Sequence, residues 1–471
     1  MTDSWSAPKW VKDSIFYQIF PDRFANGDPG NDPPNLAPWG SLPVNDNFFG
    51  GDLQGIIDRL SYLEDLGVTA IYLNPIFKGN TNHKYDTGDY FSIDPAFGTL
   101  ELMRSLVNEA HSRGLRIVLD AVFNHCGEGF WAFKDVRKNG SASEFAGWFN
   151  IRSYPLSIDP PSYQTCGGTW YLPKLDTSNP EVRKHLLDVA SYWLEEIDVD
   201  GWRLDVPWKV PLEFWRAFRE RVKQVKSDAY IVGEVWRDAQ VWLDGDTCDG
   251  VMNYQLRDYI LDFCVRDTMD AEDFDYEITR LRMLHGPSAE YQLNLLGSHD
   301  THRILTVCNG DIERVILAMT FLFTYIGAPM VFYGDEVGLV GHNDPDCRRT
   351  MPWDERTWDR RLLDTYKKLI WARRKHDVLH SGEIETILVF NGVYAYRRSF
   401  GAEEAIVVLN PREKQKDVWI CLREGGSSLK IWYDLFTGND FHEKNGHLNL
   451  GDLPAKKALL LFPNRFSEKH T

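Results

Sequence analysis

Arg203 and Asp205 stand two residues apart in the run Gly-Trp-Arg-Leu-Asp-Val-Pro-Trp-Lys, residues 201–209. In a β-strand, positions i and i+2 project from one face, so this spacing sets a guanidinium beside a carboxylate. Glu234 follows in Val-Gly-Glu-Val-Trp (232–236), and Asp300 closes Ser298-His299-Asp300. Asp120 opens Asp-Ala-Val-Phe-Asn-His, which ends on His125. Taken singly, each acid reads as a cap or an ion-pair partner. Gathered at one place with two histidines and an arginine, they read as chemistry, because clustered carboxylates repel and a fold does not need them. Paired carboxylates suit glycoside hydrolysis: one attacks the anomeric carbon and the other protonates the leaving oxygen. Arg203 beside Asp205 favours an ionised nucleophile. The apolar company of Glu234 (Val232, Val235 and Trp236) favours a protonated acid.

Such residues converge only if the elements carrying them do. Short β-branched runs ending in polar residues alternate with amphipathic helices along most of the chain. Strands are expected at 14–20, 68–76, 115–125, 199–206, 230–236, 250–254, 291–300 and 330–338, with helices at 102–113, 180–196 and 361–374 among those between them. Eight βα units predict a closed (β/α)8 TIM barrel, whose active site lies at the C-terminal strand ends. A doubly wound sheet is the alternative, but no glycine-rich phosphate loop follows the first strand. The barrel is expected over 1–124 and 180–378. The intervening 125–179 is too long for an ordinary connection and reads as an inserted domain B. After His376 the pattern turns to short alternating strands, so 379–471 reads as a C-terminal antiparallel β-sandwich domain.

Composition narrows the partners. The 471 residues are 43% hydrophobic and 13% aromatic, with 17 Trp, which marks a folded protein and suits sugar stacking. A net charge of −17 argues against nucleic acid or an anionic membrane as partner. The apolar run at 315–327 is too short to span a bilayer and reads as a buried helix. No secretory signal is visible, and seven scattered cysteines without a CxxC suggest reduced thiols in the cytoplasm.

The motifs DAVFNH (120–125), GWRLDV (201–206), GEVW (233–236) and LLGSHD (295–300) resemble the four ordered motifs of the α-amylase family of glycoside hydrolases. Five further runs, DRFANGDPGNDP (22–33), FFGGDL (48–53), NHKYDTGDY (82–90), LPKLD (172–176) and YGDEVGLVGHNDPDCRRTMPW (333–353), are similar to its neopullulanase, cyclomaltodextrinase and maltogenic amylase branch. The resemblance implies a retaining hydrolase of α-1,4-glucosidic, and possibly also α-1,6, bonds in cyclodextrins, pullulan and maltooligosaccharides. By resemblance, Asp205 is the nucleophile, Glu234 the general acid/base and Asp300 the transition-state stabiliser. His125, Arg203 and His299 hold the sugar at the cleaved bond. Tyr85 stacks on it beside His83, Asp344 and Arg348 bind the non-reducing side, and Trp236 faces the leaving group or packs in the barrel.

Asn26, Asp28, Asn31 and Asp32 form an oxygen-rich loop that could be an Asx-rich turn or a calcium site. The resemblance favours structural Ca2+, with Gly50 and Asp52 completing the ligands, and Asn124 as structural. No organic cofactor is implied. Two departures stand out. The branch's extra N-terminal β-domain has no counterpart before the first strand, so a monomer, or a dimer built differently, is expected. Trp208 and Lys209 replace the branch's usual Asn-Glu beside the acceptor subsites. Two other readings stay open: a 4-α-glucanotransferase on the same machinery, and a catalytically decayed glucan-binding protein, against which the intact acids argue.

Overall fold

The computed structural model describes residues 7–422 and 430–463. It divides into two compact units. The first holds Phe16–Met252 and Asn343–Trp353, and the second Asn253–His342 and the chain from Asp354 onward.

The strands of the catalytic fold are β1 (Phe16–Ile19), β2 (Ala70–Leu73), β3 (Arg116–Ala121), β4 (Gly201–Leu204), β5 (Tyr230–Gly233), β6 (Gly250–Val251), β7 (Leu293–Leu295) and β8 (Ala328–Phe332). They form one sheet in the order β6-β5-β4-β3-β2-β1-β8-β7, the succession of strands met in turn around a TIM barrel. β2, β4 and β8 are buried along their whole length, as strands covered on both faces must be. β4 must begin with Gly201, since a Cβ there would collide with the Tyr230 carbonyl. The helices begin at side-chain caps: Thr99 accepts from the Leu102 amide to start Leu100–Ser112, and Asn179 accepts from Glu181 and Val182 to start Pro180–Glu195. The apolar run near 320 is the helix Ile312–Thr324, buried from Val315 onward. Among the described residues no helix is long and apolar enough to cross a membrane.

Several strands are shorter than their apolar runs suggest. β6 stops at Val251 because Asn253 turns to cap the helix Tyr254–Cys264. β7 stops at Leu295, and Ser298 then donates its amide to the Thr301 hydroxyl in a turn. A short hairpin, Phe77–Gly79 with Thr87–Ile93, lies outside the eight strands and has no counterpart among the expected ones. Residues 125–179 contain one helix of nine residues, Trp131–Asn139, and otherwise hold together through isolated bridges such as Phe149↔Leu175 and Ile151↔Tyr163.

Among the described residues, eight further strands lie between Glu383 and Phe462 and form a single antiparallel sheet. Val393, Ile406, Val418, Trp432, Leu448 and Leu461, from different strands, meet in one core. Alternation of apolar and polar residues supplies that inner face.

Candidate active site

β3 and β4 are paired so that Asp120 is the direct partner of Arg203. Parallel register brings the two side chains to one level, and Arg203 Nη1 reaches both oxygens of Asp120, at 2.8 and 3.0 Å. Asp205 lies one residue past the end of β4, with its amide still bonded to Ala121 O. Its Oδ1 is 2.9 Å from the same Arg203 Nη1. Glu234 follows the last residue of β5, and its Oε2 is 2.9 Å from Arg203 Nη2. One buried guanidinium therefore joins three buried carboxyls. Burial, opposed by Arg203 but reinforced by the charges of Glu234 and Asp120, pushes the Asp205 carboxyl well above its ordinary range.

Glu234 is not in the apolar setting expected from its neighbours. The Val206 amide donates to its Oε2 at 3.0 Å and the Trp236 indole to its Oε1 at 2.9 Å. Trp236 is thus neither barrel packing nor a bare wall: it holds an acid and leaves 37% of itself exposed.

Asp120, which the motifs include without assigning it a role, is the hub of the cluster. Its Oδ2 also accepts from Tyr72 at 2.7 Å and Tyr85 at 2.9 Å. Tyr85 is fixed in turn by Asn74, and Asn74 by Gln18. The clue available in the sequence was positional: Asp120 and Arg203 occupy matching places near the ends of consecutive strands.

The two flanking histidines are held in different ways. His83 Nδ1 accepts from the Tyr85 amide, which leaves Nε2 to carry the proton. Burial, against a smaller pull from the Tyr85 carbonyl, lowers His125 to about 4. The Asn124 amide lies 3.1 Å from His125 Nδ1, and His125 Nε2 is buried without a hydrogen bond. A buried donor left in that state suits a ligand hydroxyl. Asp344 Oδ1 pairs with Arg348 Nη1 at 2.9 Å. Trp208 and Lys209 lie exposed on the turn Pro207–Lys209, and Lys174 donates to Lys209 O at 2.9 Å.

His299 and Asp300 belong to the second unit, on the turn after β7. His299 Nε2 is 3.1 Å from Asp300 Oδ2, and His299 is buried while Asp300 is half-buried. Ser298 Oγ receives the Asp300 amide and lies 3.1 Å from Tyr254 OH.

A sequence model of the α-amylase catalytic domain matches residues 18–360. The chain belongs to the α-amylase family. It is a glycoside hydrolase of that family. Among relatives, the cyclomaltodextrinase of Thermoanaerobacter pseudethanolicus is 50% identical over 430 residues, covering 91% of this chain and 75% of its own. Neopullulanase 2 of Thermoactinomyces vulgaris is 46% identical, covering 98% of this chain and 79% of its own. The solved structure of a cyclic α-maltosyl-(1→6)-maltose hydrolase from Arthrobacter globiformis superposes with a TM-score of 0.89 at 44% identity, over 97% of this chain and all of that one.

The oxygen-rich loop at 26–32 offers ligands of the kind that the calcium implied by the α-amylase resemblance would need. Asn31 Oδ1 is buried and unbonded, and Gly50, at φ +79°, has no room for a Cβ against Asp32 and Asn26. Asn26 donates to Asp32 Oδ1 at 2.7 Å. Asp28 has one oxygen on the Gly30 amide. These groups fit an oxygen-coordinated cation. Asp52 fits least, because its carboxylate already accepts from Gly27, Asp28, Gly55 and Asn31 and so serves to hold the loop. Among the described residues no group of three or more Asp, Glu, His or Cys is arranged to hold a metal alone, so amide and carbonyl oxygens would have to contribute.

Proposed function

We propose that the chain is a retaining α-glucan hydrolase in which Asp205 attacks the anomeric carbon and Glu234 protonates the departing oxygen, then activates water on the same face. The observation that carries this reading is the shared guanidinium. Two carboxyls bonded to the two terminal nitrogens of one arginine are held near each other, which suits the separation of about 5–5.5 Å of a retaining pair better than the wide gap of an inverting one. One positive charge among three buried acids also favours a proton retained within the cluster, which general acid catalysis needs. Asp300 is assigned as transition-state stabiliser, with His299 beside it.

The remaining roles follow from position. The Tyr85 ring, braced through its hydroxyl on Asp120, stacks on the sugar at the cleaved bond, while His83 and His125 offer Nε2–H donors to its hydroxyls. Asp344 and Arg348 bind the glycone side. Trp208 and Lys209 face the acceptor. The names of the relatives (cyclomaltodextrinase, neopullulanase, a hydrolase of a cyclic maltosyl-maltose) support cyclic and short or branched α-glucans as substrates. Seven unpaired thiols support a reducing compartment, and we place the enzyme in the cytoplasm.

Feeding γ-cyclodextrin, pullulan and maltotriose with chromatography of the products tests the reaction. Linear hydrolysis products, lost in Asp205→Asn, are expected. Longer oligosaccharides as the main products from maltotriose would make the enzyme a glucanotransferase instead. Calcium held by Asn26, Asp28, Asn31, Asp32 and the Gly50 carbonyl would supply a structural brace. Metal analysis finding one calcium per chain, with a lower Tm in chelator, is the expected result. No calcium and an unchanged Tm would remove it.

A further inference from the structure

Val206 has a backbone conformation that its sequence opposes twice. It is β-branched, and it precedes Pro207. Both features favour extended φ and ψ. The residue nevertheless stands at φ +36° and ψ +52°, in the left-handed region that branched residues avoid. Such a conformation persists only where its surroundings over-determine it.

Those surroundings are specific. Asp205 immediately before it is tied to Ala121 O and Arg203. Pro207 O immediately after it accepts the Trp215 indole at 3.0 Å. The left-handed turn lets the Val206 amide reach Glu234 Oε2, at 3.0 Å, while its carbonyl accepts the Lys209 amide at 2.9 Å. One residue thus connects the nucleophile, the acid/base and the turn bearing Trp208 and Lys209.

We propose that Val206 is a positioning residue for proton transfer: its left-handed turn aims a backbone N–H at Glu234 and fixes that carboxyl relative to the leaving oxygen. The proposal rests on the assignment of Glu234 as acid/base. Other groups face the same carboxyl: Arg203 and the Trp236 indole bond it directly, and the charge of Asp205 acts on it. Neither donor connects Glu234 to the acceptor turn, and Val206 does.

An acid that is badly placed slows loss of a poor leaving group most. A sugar alcohol needs protonation, whereas an activated phenolate leaves without it. The experiment therefore compares kcat/KM for maltotriose with that for 4-nitrophenyl α-maltoside. In Val206→Pro, which removes the N–H and sets φ near −65°, kcat/KM for maltotriose is expected to fall at least tenfold more than for the aryl substrate. Val206→Gly, which adopts positive φ without strain, is expected to recover most of that ratio and to melt higher than Val206→Pro. Equal losses on both substrates in Val206→Pro would reduce the residue to a structural one and overturn the proposal.

If Val206→Pro does not fold, hydrogen exchange decides. Protection of the Val206 amide is expected to drop in Glu234→Ala, and unchanged protection would overturn the proposal. The assignment of Glu234 fails separately, if Glu234→Ala still turns over maltotriose at the wild-type rate.

Discussion

The two ends of β4 hold aspartates in opposite company. Asp200, just before the strand, faces three bases, His111 Nε2 at 2.7 Å, Arg116 Nη1 at 2.9 Å and Lys226 Nζ at 3.1 Å, which it shares with the exposed Asp198 and Asp228. Asp205, just after it, is one of three acids around a single arginine. Both are buried, and burial pushes both carboxyls up. At Asp200 the hydrogen bond from His111, the charge of Lys226 and the Ile117 amide overcome it and bring the carboxyl down to about 2. At Asp205 the neighbouring acids add to it. Asp249 repeats the first arrangement just before β6, with Arg219 at 2.7 Å and Lys223 at 2.9 Å. The N-terminal ends thus satisfy their acids, and the C-terminal ends crowd theirs. Stability is built at one end of the barrel and reactivity at the other.

The sharpest way to break that contrast is Asp205→Asn. If the crowding serves catalysis, turnover of γ-cyclodextrin falls on the order of 10⁴-fold. Removing one of three crowded acids should leave Tm equal to the wild type or higher, as for other strained functional sites. A large loss of Tm together with turnover would mean that Asp205 supports the fold as Asp200 does.

Asp120→Asn probes the same cluster without touching the proposed nucleophile. Arg203 and Tyr85 both lose a charged partner, and kcat/KM is expected to fall about 10²-fold, as when outer-shell ligand partners are removed. The pH profile has a definite sign. As the proposed nucleophile, Asp205 has to be ionised to attack, so the acid limb of kcat/KM is expected at the raised value of its carboxyl. The Asp120 charge contributes to raising it, and Arg203 opposes. Neutralising Asp120 therefore moves the acid limb to lower pH. A limb that stays in place would show that burial and the Glu234 charge set the carboxyl without Asp120.

Asp200→Asn tests the other end of the strand. A carboxyl brought from 3.8 to about 2 on folding corresponds to about 2 kcal/mol at neutral pH. The folded value is depressed, so this contribution is present above pH 4 and is lost as pH falls toward 2. Denaturant unfolding should show the wild-type advantage at pH 7 shrinking between pH 4 and 2, with kcat nearly unchanged. An advantage independent of pH would mean that packing, not charge, makes the difference.

The contrast between the strand ends was only half legible in the sequence. Arg203, Asp205 and Glu234 announced themselves by type and by their place after apolar runs, and the barrel followed from eight repeats of one pattern. Asp120 stood among the acids, but its role as hub was hidden, because its partners Tyr72 and Arg203 lie 48 and 83 residues away and only strand register brings them together. Asp200 fell inside the expected strand 199–206 with nothing to mark it, since its value depends on His111 and Lys226 arriving from one helix and from the end of another. Val206 is the strongest case: each local rule predicts an extended residue, and tertiary context overrides them all. The surroundings of Glu234 misled in the other direction, because apolar neighbours in sequence did not mean apolar neighbours in space.

The smallest expected effect falls on Trp236, whose indole donates to Glu234 Oε1. Phenylalanine keeps a ring at this partly exposed position and removes only the N–H. A hydrogen bond to a charged group contributes about 1.5–3 kcal/mol, but the exposure of this one and the two donors remaining on Oε2 argue for the lower part of that range. Trp236→Phe should lower kcat on maltotriose roughly tenfold and leave KM within about twofold. That split separates an acid-holding role from a sugar-stacking one. A ring that mainly carried the leaving sugar would lose little on becoming phenylalanine, and whatever it lost would appear in KM. Trp236→Ala completes the comparison: if stacking matters as well, KM rises on top of the same fall in kcat. A phenylalanine variant with wild-type kcat would return Trp236 to the wall of the cleft and leave Arg203 and Val206 as the groups that place the acid.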